Sequence, residues 1–293
     1  LIPVIKKILE YSSLPVIVNP NAGLPIFKDG RTSYGLTPDD FAETMAEIAE
    51  MGASVLGGCC GTTPEHIRKL VLKTQNIPLK PVKKKNFTVI SSYTHAVYFD
   101  KKPVLIGERI NPTGKPRFKT ALREENYDYI LKEGVAQQEA GADVLDVNVG
   151  LPEIDEKSVL TKTVQLLQSV SALPLQLDTS DPSAMESALR IYNGKPLINS
   201  VNGKSEVMDA VFPLAAKYGG VVIALTIDES GIPETADGRI NTALKIISRA
   251  AEYGIPSNDI IVDPLAMTIS SDNKSALVTL ECLKRLSDMG IKT

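Results

Sequence analysis

The chain has 293 residues, 43% of them hydrophobic, and a mean hydropathy near zero, so it can bury one large core or two smaller ones. A formal charge of −3 and a pI near 5.6 give no electrostatic reason to expect nucleic acid as a partner. No apolar stretch approaches the roughly 20 residues of a membrane span, and three cysteines suit a reducing compartment better than a disulfide framework. The composition therefore predicts a soluble, cytoplasmic protein that binds neither nucleic acid nor membrane.

Helix-like and strand-like patterns alternate in the first 75 residues. An apolar-periodic run over 2–9 is followed by a strand-like run over 15–19. A capping sequence opens a helical pattern over 37–52, which ends at a glycine. A second short apolar run at 55–56 precedes a helix that we expect over 64–74. This order predicts a helix-strand-helix-strand-helix segment.

Two of the three cysteines, Cys59 and Cys60, are adjacent in a glycine-rich turn that directly follows the second of these strands. Adjacent cysteines rarely form a disulfide with each other, because the bond would strain the intervening peptide. Zinc accepts both thiolates in a tetrahedral site, and the neighbouring glycines allow the turn to direct both sulfurs at one point. The motif therefore predicts a metal-binding thiolate pair.

The alternation stops after residue 75. Two prolines and four lysines within 76–86 predict a linker. Residues 91–100 are less regular and are typical of either a small hairpin or a lid over the end of the next unit. We therefore predict one domain at 1–76, a linker at 77–102 and a second domain at 103–293.

Short apolar strands, each followed by a helix, fill the second domain. The predicted strands cover 104–109, 144–149, 174–178, 196–200, 220–227 and 259–263. The predicted helices cover 124–140, 155–170, 182–192, 205–218, 240–253 and 274–289. Strand-helix units with short connections predict an α/β fold with a parallel sheet covered by helices. The spacing suits a (β/α)8 barrel or a doubly wound sheet, and no Gly-x-Gly-x-x-Gly opens the first unit to favour a dinucleotide fold.

Polar side chains recur at the carboxyl ends of these strands. They are Glu108, Asn111, Asp146, Asn148, Asp178, Asn199 and Asp263. In a parallel barrel these ends share the face on which loops build the active site. One such Asp is more often a helix cap, but polar residues after five strands predict a ligand pocket. Carboxylates and amides suit a flat heterocycle rich in N–H donors, such as a pterin.

Two motifs resemble those of known families. Residues 57–66, Gly-Gly-Cys-Cys-Gly-Thr-Thr-Pro-Glu-His, resemble the closing zinc motif of homocysteine S-methyltransferase domains. Residues 107–114, Gly-Glu-Arg-Ile-Asn-Pro-Thr-Gly, resemble the entry motif of the methyltetrahydrofolate domain in cobalamin-dependent methionine synthases. The second half is also similar to dihydropteroate synthases, through Asp178, Asn199 and Asp263. The chain thus resembles a fragment of the cobalamin-dependent methionine synthase family, from the end of the homocysteine domain through most of the pterin-binding domain.

The resemblance implies two (β/α)8 barrels of the TIM type, both incomplete: the last part of the first and the first six strand-helix units of the second. It implies a methyltransferase that moves a methyl group from 5-methyltetrahydrofolate, by way of cobalamin, to zinc-activated homocysteine, giving methionine and tetrahydrofolate. Cobalamin would be bound by another domain of the same parent protein. Two alternatives stay open: a pterin-binding methyltransferase that serves a separate corrinoid protein, and a folate-presenting module without chemistry of its own.

The resemblance also implies residue roles. Asp178, Asn199 and Asp263 would bind the pterin, and the catalytic residues on the methyl side would be Glu108, Asn111, Asp146 and Asn148. Cys59 and Cys60 would bind zinc, with Asn21 as either a weak, displaceable ligand or a turn residue. The family's third zinc-binding cysteine lies on an earlier strand, and Cys282, within an amphipathic helical pattern, is interpreted as a buried structural thiol.

Overall fold

The chain divides into two units, Leu1–Asn86 and Phe87–Thr293. The structure, a computed structural model, describes residues 1–100, 102–267 and 273–293. None of the helices within those ranges combines the length and the apolarity that a membrane crossing requires.

The first unit consists of three helices, two parallel strands and an antiparallel hairpin. Its elements are α1 (Ile2–Tyr11), β1 (Ile17–Val18), β2 (Pro25–Lys28), β3 (Arg31–Tyr34), α2 (Pro38–Met51), β4 (Val55–Leu56) and α3 (Pro64–Thr74). β1 pairs with β4 in parallel, and β2 pairs with β3 as a hairpin that the sequence pattern did not predict. Helix α2 buries Phe41, Met45 and Ile48 against the strands and α3, so the helical pattern predicted over 37–52 is confirmed.

The second unit begins with a hairpin and continues as strand-helix units. Its elements are β5 (Val89–Ser91), β6 (Ala96–Tyr98), β7 (Ile106–Ile110), α4 (Pro116–Arg123), α5 (Tyr127–Glu139), β8 (Val144–Val147), α6 (Glu156–Val170), β9 (Leu175–Asp178), α7 (Pro182–Ile191), β10 (Leu197–Val201), α8 (Ser205–Tyr218), β11 (Val221–Leu225), α9 (Ala236–Glu252), β12 (Ile260–Asp263) and α10 (Asn273–Asp288). The predicted α/β pattern is thereby confirmed.

Strands β7 to β12 form one parallel sheet of six strands in which sequential strands are neighbours. A doubly wound sheet reverses its strand order part-way, whereas a barrel wall adds each new strand at the same edge. The observed order is therefore that of a barrel wall. At the far edge, the Val262 N–H donates to the Lys292 carbonyl at 2.8 Å, parallel to β12.

Alternate residues along the strands separate into two layers. The side chains on the helix side join the main core and include Leu145, Leu177, Ile198, Val222 and Val262. Near the amino ends, the opposite side is also apolar, with Val144, Leu197, Val221 and Ile261. We call these apolar residues the inner apolar layer. Successive side chains on a strand point to opposite faces, so the residues two and four positions further along each strand lie on the same inner face.

The β5–β6 hairpin belongs to the second unit, so the boundary between the units differs from the predicted one. Ile90 and Val97, 0% and 6% exposed, pack into the inner apolar layer of the sheet. The Tyr192 hydroxyl donates to the Ser91 carbonyl at 2.9 Å, which ties the hairpin to the end of α7. The predicted linker over 77–102 is therefore too long: residues 87–100 belong to the second unit, while 77–86 form neither helix nor strand.

The helix predicted over 124–140 is two helices, α4 and α5. Glu125 has a φ of 50°, in the left-handed region, which ends α4. The Asn126 side chain then accepts a hydrogen bond from the Tyr129 N–H at 3.2 Å and caps α5. Likewise α9 begins at Ala236, earlier than predicted, because the Thr235 hydroxyl accepts from the Gly238 N–H at 3.1 Å.

Candidate functional site

The polar residues predicted at the strand ends lie on the inner face of the six-stranded sheet. The strand register pairs Asp146 with Gln176 and Asn199 with Asp178. Register partners in a parallel sheet turn their side chains to the same face. The residues that follow the inner apolar layer on this face are Glu108, Asp146, Asn148, Gln176, Asp178, Asn199 and Asp263. Six of the seven predicted residues thus share one face.

Asp146 is the most buried carboxylate of this group, at 2% exposure. The Gln176 Nε2 donates to its Oδ1 at 2.5 Å, and the Asn199 side chain is also hydrogen-bonded to it. Burial, reinforced by the negative charge of Asp178, raises the pKa of Asp146 to about 7 despite these hydrogen bonds. Near neutral pH, this carboxyl group can therefore donate or accept a proton.

Asp178 is oriented by its neighbour on β8. The Asn148 Nδ2 donates to Asp178 Oδ2 at 2.8 Å, while the Asn148 Oδ1 accepts from the Gly150 N–H at 2.9 Å. Burial raises the pKa of Asp178, the Asn148 hydrogen bond opposes this, and the charge of Glu108 adds to it. Because Glu108 raises the pKa of both Asp146 and Asp178, the carboxylates of three successive strands face one space.

Glu108 and Asn111 lie at the rim of the site. Glu108 is exposed, and its Oε2 pairs with the Lys115 Nζ at 3.2 Å; the same ammonium donates to the Glu108 carbonyl at 2.8 Å. Asn111 is buried, and its Oδ1 accepts from the Thr113 N–H at 2.8 Å. In the structure Asn111 thus forms the turn after β7, and its catalytic role stays a prediction.

Asp263 ends β12, at the edge of the described sheet. Its Oδ1 accepts from the Leu265 N–H at 2.8 Å, so the carboxylate is held by the turn that follows it. Leu265 has a φ of 63°, in the left-handed region. The turn therefore fixes the direction of the carboxylate.

Sequence reasoning missed Gln176. Its side chain is buried, and within the described part of the chain its Oε1 has no hydrogen-bond partner. A buried acceptor without a partner is costly, so this oxygen beside Asp146 suits an N–H or O–H donor. The available signal was its spacing, since Gln176 lies two residues before Asp178 on the same strand.

A cleft of about 670 Å³ opens beside Asn148. Its walls include Thr113, Glu156 and Thr179, and the Thr179 hydroxyl donates to the Glu156 carboxylate. The cleft gives room for a ligand that extends beyond one ring system.

The cysteine pair of the first unit matches part of a zinc site. Cys59 and Cys60 are free and exposed, with their sulfurs 3.9 Å apart. Two thiolates at about 2.3 Å from a tetrahedral zinc lie about 3.8 Å apart, so the pair fits two of four vertices. Among the described residues, no group of three or more His, Cys, Asp and Glu side chains could hold a metal ion. If the pair binds zinc, the remaining ligands must therefore come from elsewhere.

Asn21 and Tyr34 surround the cysteine turn. The Asn21 Oδ1 accepts from the Cys60 N–H at 3.1 Å, which directs its carboxamide toward the turn. A hydrogen bond to the Cys60 side chain raises the pKa of Tyr34. A Cβ atom on Gly61 would lie 2.3 Å from Tyr34 Cγ, so only glycine fits there. Sequence reasoning missed Tyr34, because the hairpin that carries it was not predicted.

Two further residues have structural roles. The His66 Nε2 donates to the Leu36 carbonyl at 3.0 Å, so its Nδ1 accepts from the Thr63 N–H at 3.2 Å, and both ring nitrogens cap and anchor α3. Cys282 is fully buried in α10, as predicted.

The sequence profile of a family described as pterin binding enzyme matches residues 107–293, more than half of the chain. The chain belongs to the pterin-binding enzyme family. A second profile, described as homocysteine S-methyltransferase, matches residues 1–73. The two matches occupy separate parts of the chain. The acids and amides on the inner face of the six-stranded sheet lie within the part that matches the pterin-binding profile.

Similar proteins include two methionine synthases. The chain is 33% identical to methionine synthase from Mycobacterium tuberculosis over 297 residues, which cover 96% of this chain and 25% of that protein. It is 32% identical to methionine synthase from Mycobacterium leprae over 300 residues, with the same two coverages of 96% and 25%. The chain thus spans about a quarter of the length of these relatives.

Similar solved structures share the fold of this chain. A dihydropteroate synthase from Xanthomonas albilineans, in complex with 7,8-dihydropteroate, superposes with a TM-score of 0.53 at 20% identity, covering 70% of this chain and 74% of that one. The enzyme from Vibrio fischeri gives a TM-score of 0.52 at 19% identity, with coverages of 69% and 75%. This likeness shows the fold alone.

Proposed function

We propose that this chain is the part of a cobalamin-dependent methionine synthase that contains the end of the homocysteine barrel and most of the methyltetrahydrofolate barrel. The match of both family profiles in this order supports the proposal, as does the alignment of 96% of the chain with methionine synthases. The observation that carries it is the convergence of Glu108, Asp146 and Asp178 on one face of a pterin-binding family sheet. In this proposal both barrels are incomplete in the chain.

The acids and amides would hold the pterin ring. Carboxylates only accept hydrogen bonds, so Asp178 and Asp263 suit the ring N–H and amino groups, while the Asn199 amide suits an edge with both donors and acceptors. Burial strengthens such hydrogen bonds because water is excluded. The fixed orientation of Asp178 by Asn148 reduces the cost of ordering the site when the ligand binds.

Asp146 would assist the nitrogen that releases the methyl group. N5 of methyltetrahydrofolate is a poor leaving group unless it is protonated or strongly hydrogen-bonded. With a pKa of about 7, Asp146 holds a proton in part of the population at neutral pH. Since Gln176 donates to Oδ1, this proton would be carried on Oδ2. Glu108, Asn111 and Asn148 would line the same side.

The first unit would contribute to homocysteine activation. A bound zinc ion would supply the Lewis acidity that keeps the homocysteine sulfur ionised at neutral pH, and cobalamin on another domain would carry the methyl group. Cys59 and Cys60 would occupy two vertices of the zinc site. The Asn21 carboxamide, already directed by the Cys60 N–H, would be a weak ligand that homocysteine displaces.

Replacing either pterin-binding carboxylate by its amide tests the proposal. In the full-length parent protein, Asp178→Asn and Asp263→Asn are each expected to weaken 5-methyltetrahydrofolate binding by about 10-fold to 100-fold, because each loses a hydrogen bond to a charged acceptor. A fluorescence or calorimetric titration measures the Kd. Asp128→Asn, on the exposed first turn of α5, is the matched control and should leave the Kd unchanged. Wild-type affinity in both test variants would remove the pterin assignment.

Metal retention tests the thiolate pair. This 293-residue chain is expected to lose zinc during dialysis against a mild chelator, because two thiolates leave half of the tetrahedral site open. Atomic absorption after dialysis measures the remaining metal, with the full-length parent protein as the control that should keep one equivalent. One equivalent of zinc retained by the 293-residue chain would contradict the assignment of an incomplete site.

A further inference from the structure

Arg239, in the first turn of α9, is 2% exposed, and each of its acceptors among the residues that the structure describes is an uncharged oxygen. The acceptors are the Pro233 carbonyl (2.9 Å from Nε), the Pro264 and Leu265 carbonyls (2.7 and 2.9 Å from Nη1), the Thr279 hydroxyl (3.1 Å from Nη1) and the Ser275 hydroxyl (3.2 Å from Nη2). No carboxylate of the described residues forms an ion pair with it. Burying a cation among uncharged groups is costly, and apolar side chains of similar volume often stabilise such a position at least as well.

The guanidinium contacts the turn that holds Asp263. The Pro264 carbonyl and the Leu265 N–H belong to the same peptide group: its oxygen accepts from Arg239, and its N–H donates to Asp263 Oδ1 at 2.8 Å. A hydrogen bond to the oxygen of a peptide group polarises its N–H and strengthens the bond that this N–H donates. A continuous chain of two hydrogen bonds therefore leads from the guanidinium to the carboxylate.

The same contacts hold Leu265 in its backbone conformation. A φ of 63° is unfavourable for leucine and persists only where the surroundings impose it. Arg239 bonds the carbonyls on both sides of the Leu265 nitrogen and α-carbon, at 2.7 and 2.9 Å. One planar guanidinium can direct several N–H groups to such fixed points, whereas a lysine ammonium lacks this fork.

We propose that Arg239 is a positioning residue that directs the Asp263 carboxylate toward the pterin, an inference that rests on the pterin-binding function proposed above. Arg239 does not touch the ligand. It fixes the peptide that binds Oδ1 of Asp263, and so leaves Oδ2 directed at the ring. Its contribution to affinity is therefore transmitted through Asp263.

A double-mutant cycle in the full-length protein tests this transmission. The Kd for 5-methyltetrahydrofolate is measured for the wild type, Arg239→Lys, Asp263→Ala and the double variant. Arg239→Lys is expected to weaken binding about tenfold when Asp263 is present, and less than about twofold when Asp263 is alanine. Equal weakening in both backgrounds, which a general structural role would cause, overturns the proposal, as does an unchanged Kd for Arg239→Lys.

Control variants separate positioning from folding. Arg249→Lys on the same helix alters an exposed guanidinium that pairs with Asp209 and Glu252, and it should leave the Kd unchanged. Circular dichroism checks that each variant is folded. If Arg239→Lys does not fold, Arg239→Gln takes its place in the cycle, because its amide keeps a donor, and the same two outcomes decide. A wild-type protein that does not bind methyltetrahydrofolate would overturn the pterin function itself, and the positioning role with it.

Discussion

Asp146→Asn is expected to stabilise the second unit increasingly as the pH rises, by about 2 kcal/mol at pH 5 and about 4 kcal/mol at pH 8. The pKa of Asp146 is raised from its ordinary 3.8 to about 7 in the folded protein, mainly by burial. Between these values the folded state binds more protons at this group than the unfolded state, so the contribution of Asp146 to the stability is most favourable below pH 3.8 and falls as the pH rises to 7. Asparagine carries no charge and removes this loss.

Urea denaturation of the chain at pH 5 and pH 8 measures this effect. Asp128→Asn, an exposed substitution, should change the free energy of unfolding by less than about 0.5 kcal/mol at both pH values. If the stability difference between Asp146→Asn and wild type is no larger at pH 8 than at pH 5, the pKa of Asp146 is not raised in the folded protein. In the full-length parent protein, the same variant should slow the proposed methyl transfer about 100-fold, because it removes the group that we propose donates a proton to N5.

Gly194→Ala is expected to destabilise the second unit by about 3 kcal/mol or more, from backbone strain and overpacking together. Gly194 has a φ of 146°, which residues with a side chain rarely adopt. An added Cβ would lie 2.2 Å from the Ser91 carbonyl oxygen and 2.8 Å from its carbon. Backbone atoms cannot rotate away as a side chain can, so the β5–β6 hairpin must move from the sheet.

Gly219→Ala is the matched control for this substitution. Gly219 also has a positive φ, 78°, and follows α8, but a Cβ there would meet no atom within 4 Å. Its cost is expected to be about 1–2 kcal/mol, the strain of the left-handed conformation alone. Chemical denaturation compares the two variants, and limited proteolysis shows whether the hairpin is released. Equal losses of stability would contradict the close packing of Gly194 against the hairpin.

The sequence predicted helices and strands well where the segment itself contains a capping residue and a periodic apolar pattern. The helix after Thr37 has a capping threonine and an apolar stripe, and both are found in the structure. The break at Glu125 was missed, because a left-handed glutamate has no sequence signature, and the Asn126 cap is recognisable only once the helix start is known. The β2–β3 hairpin was missed because its pattern is short and largely exposed.

The sequence by itself determined the alternation of strands and helices, the cysteine turn and the series of acids and amides at the strand ends, since each depends on neighbours a few residues apart. The tertiary structure alone decided the raised pKa of Asp146, the lack of a partner for the Gln176 Oε1 among the described residues, and the contacts of Arg239. Gln176 reaches Asp146 across 30 residues of sequence, and Arg239 reaches Pro264 across 25. Burial and hydrogen bonding between such distant residues depend on the packed fold, because the unfolded chain leaves these groups in water.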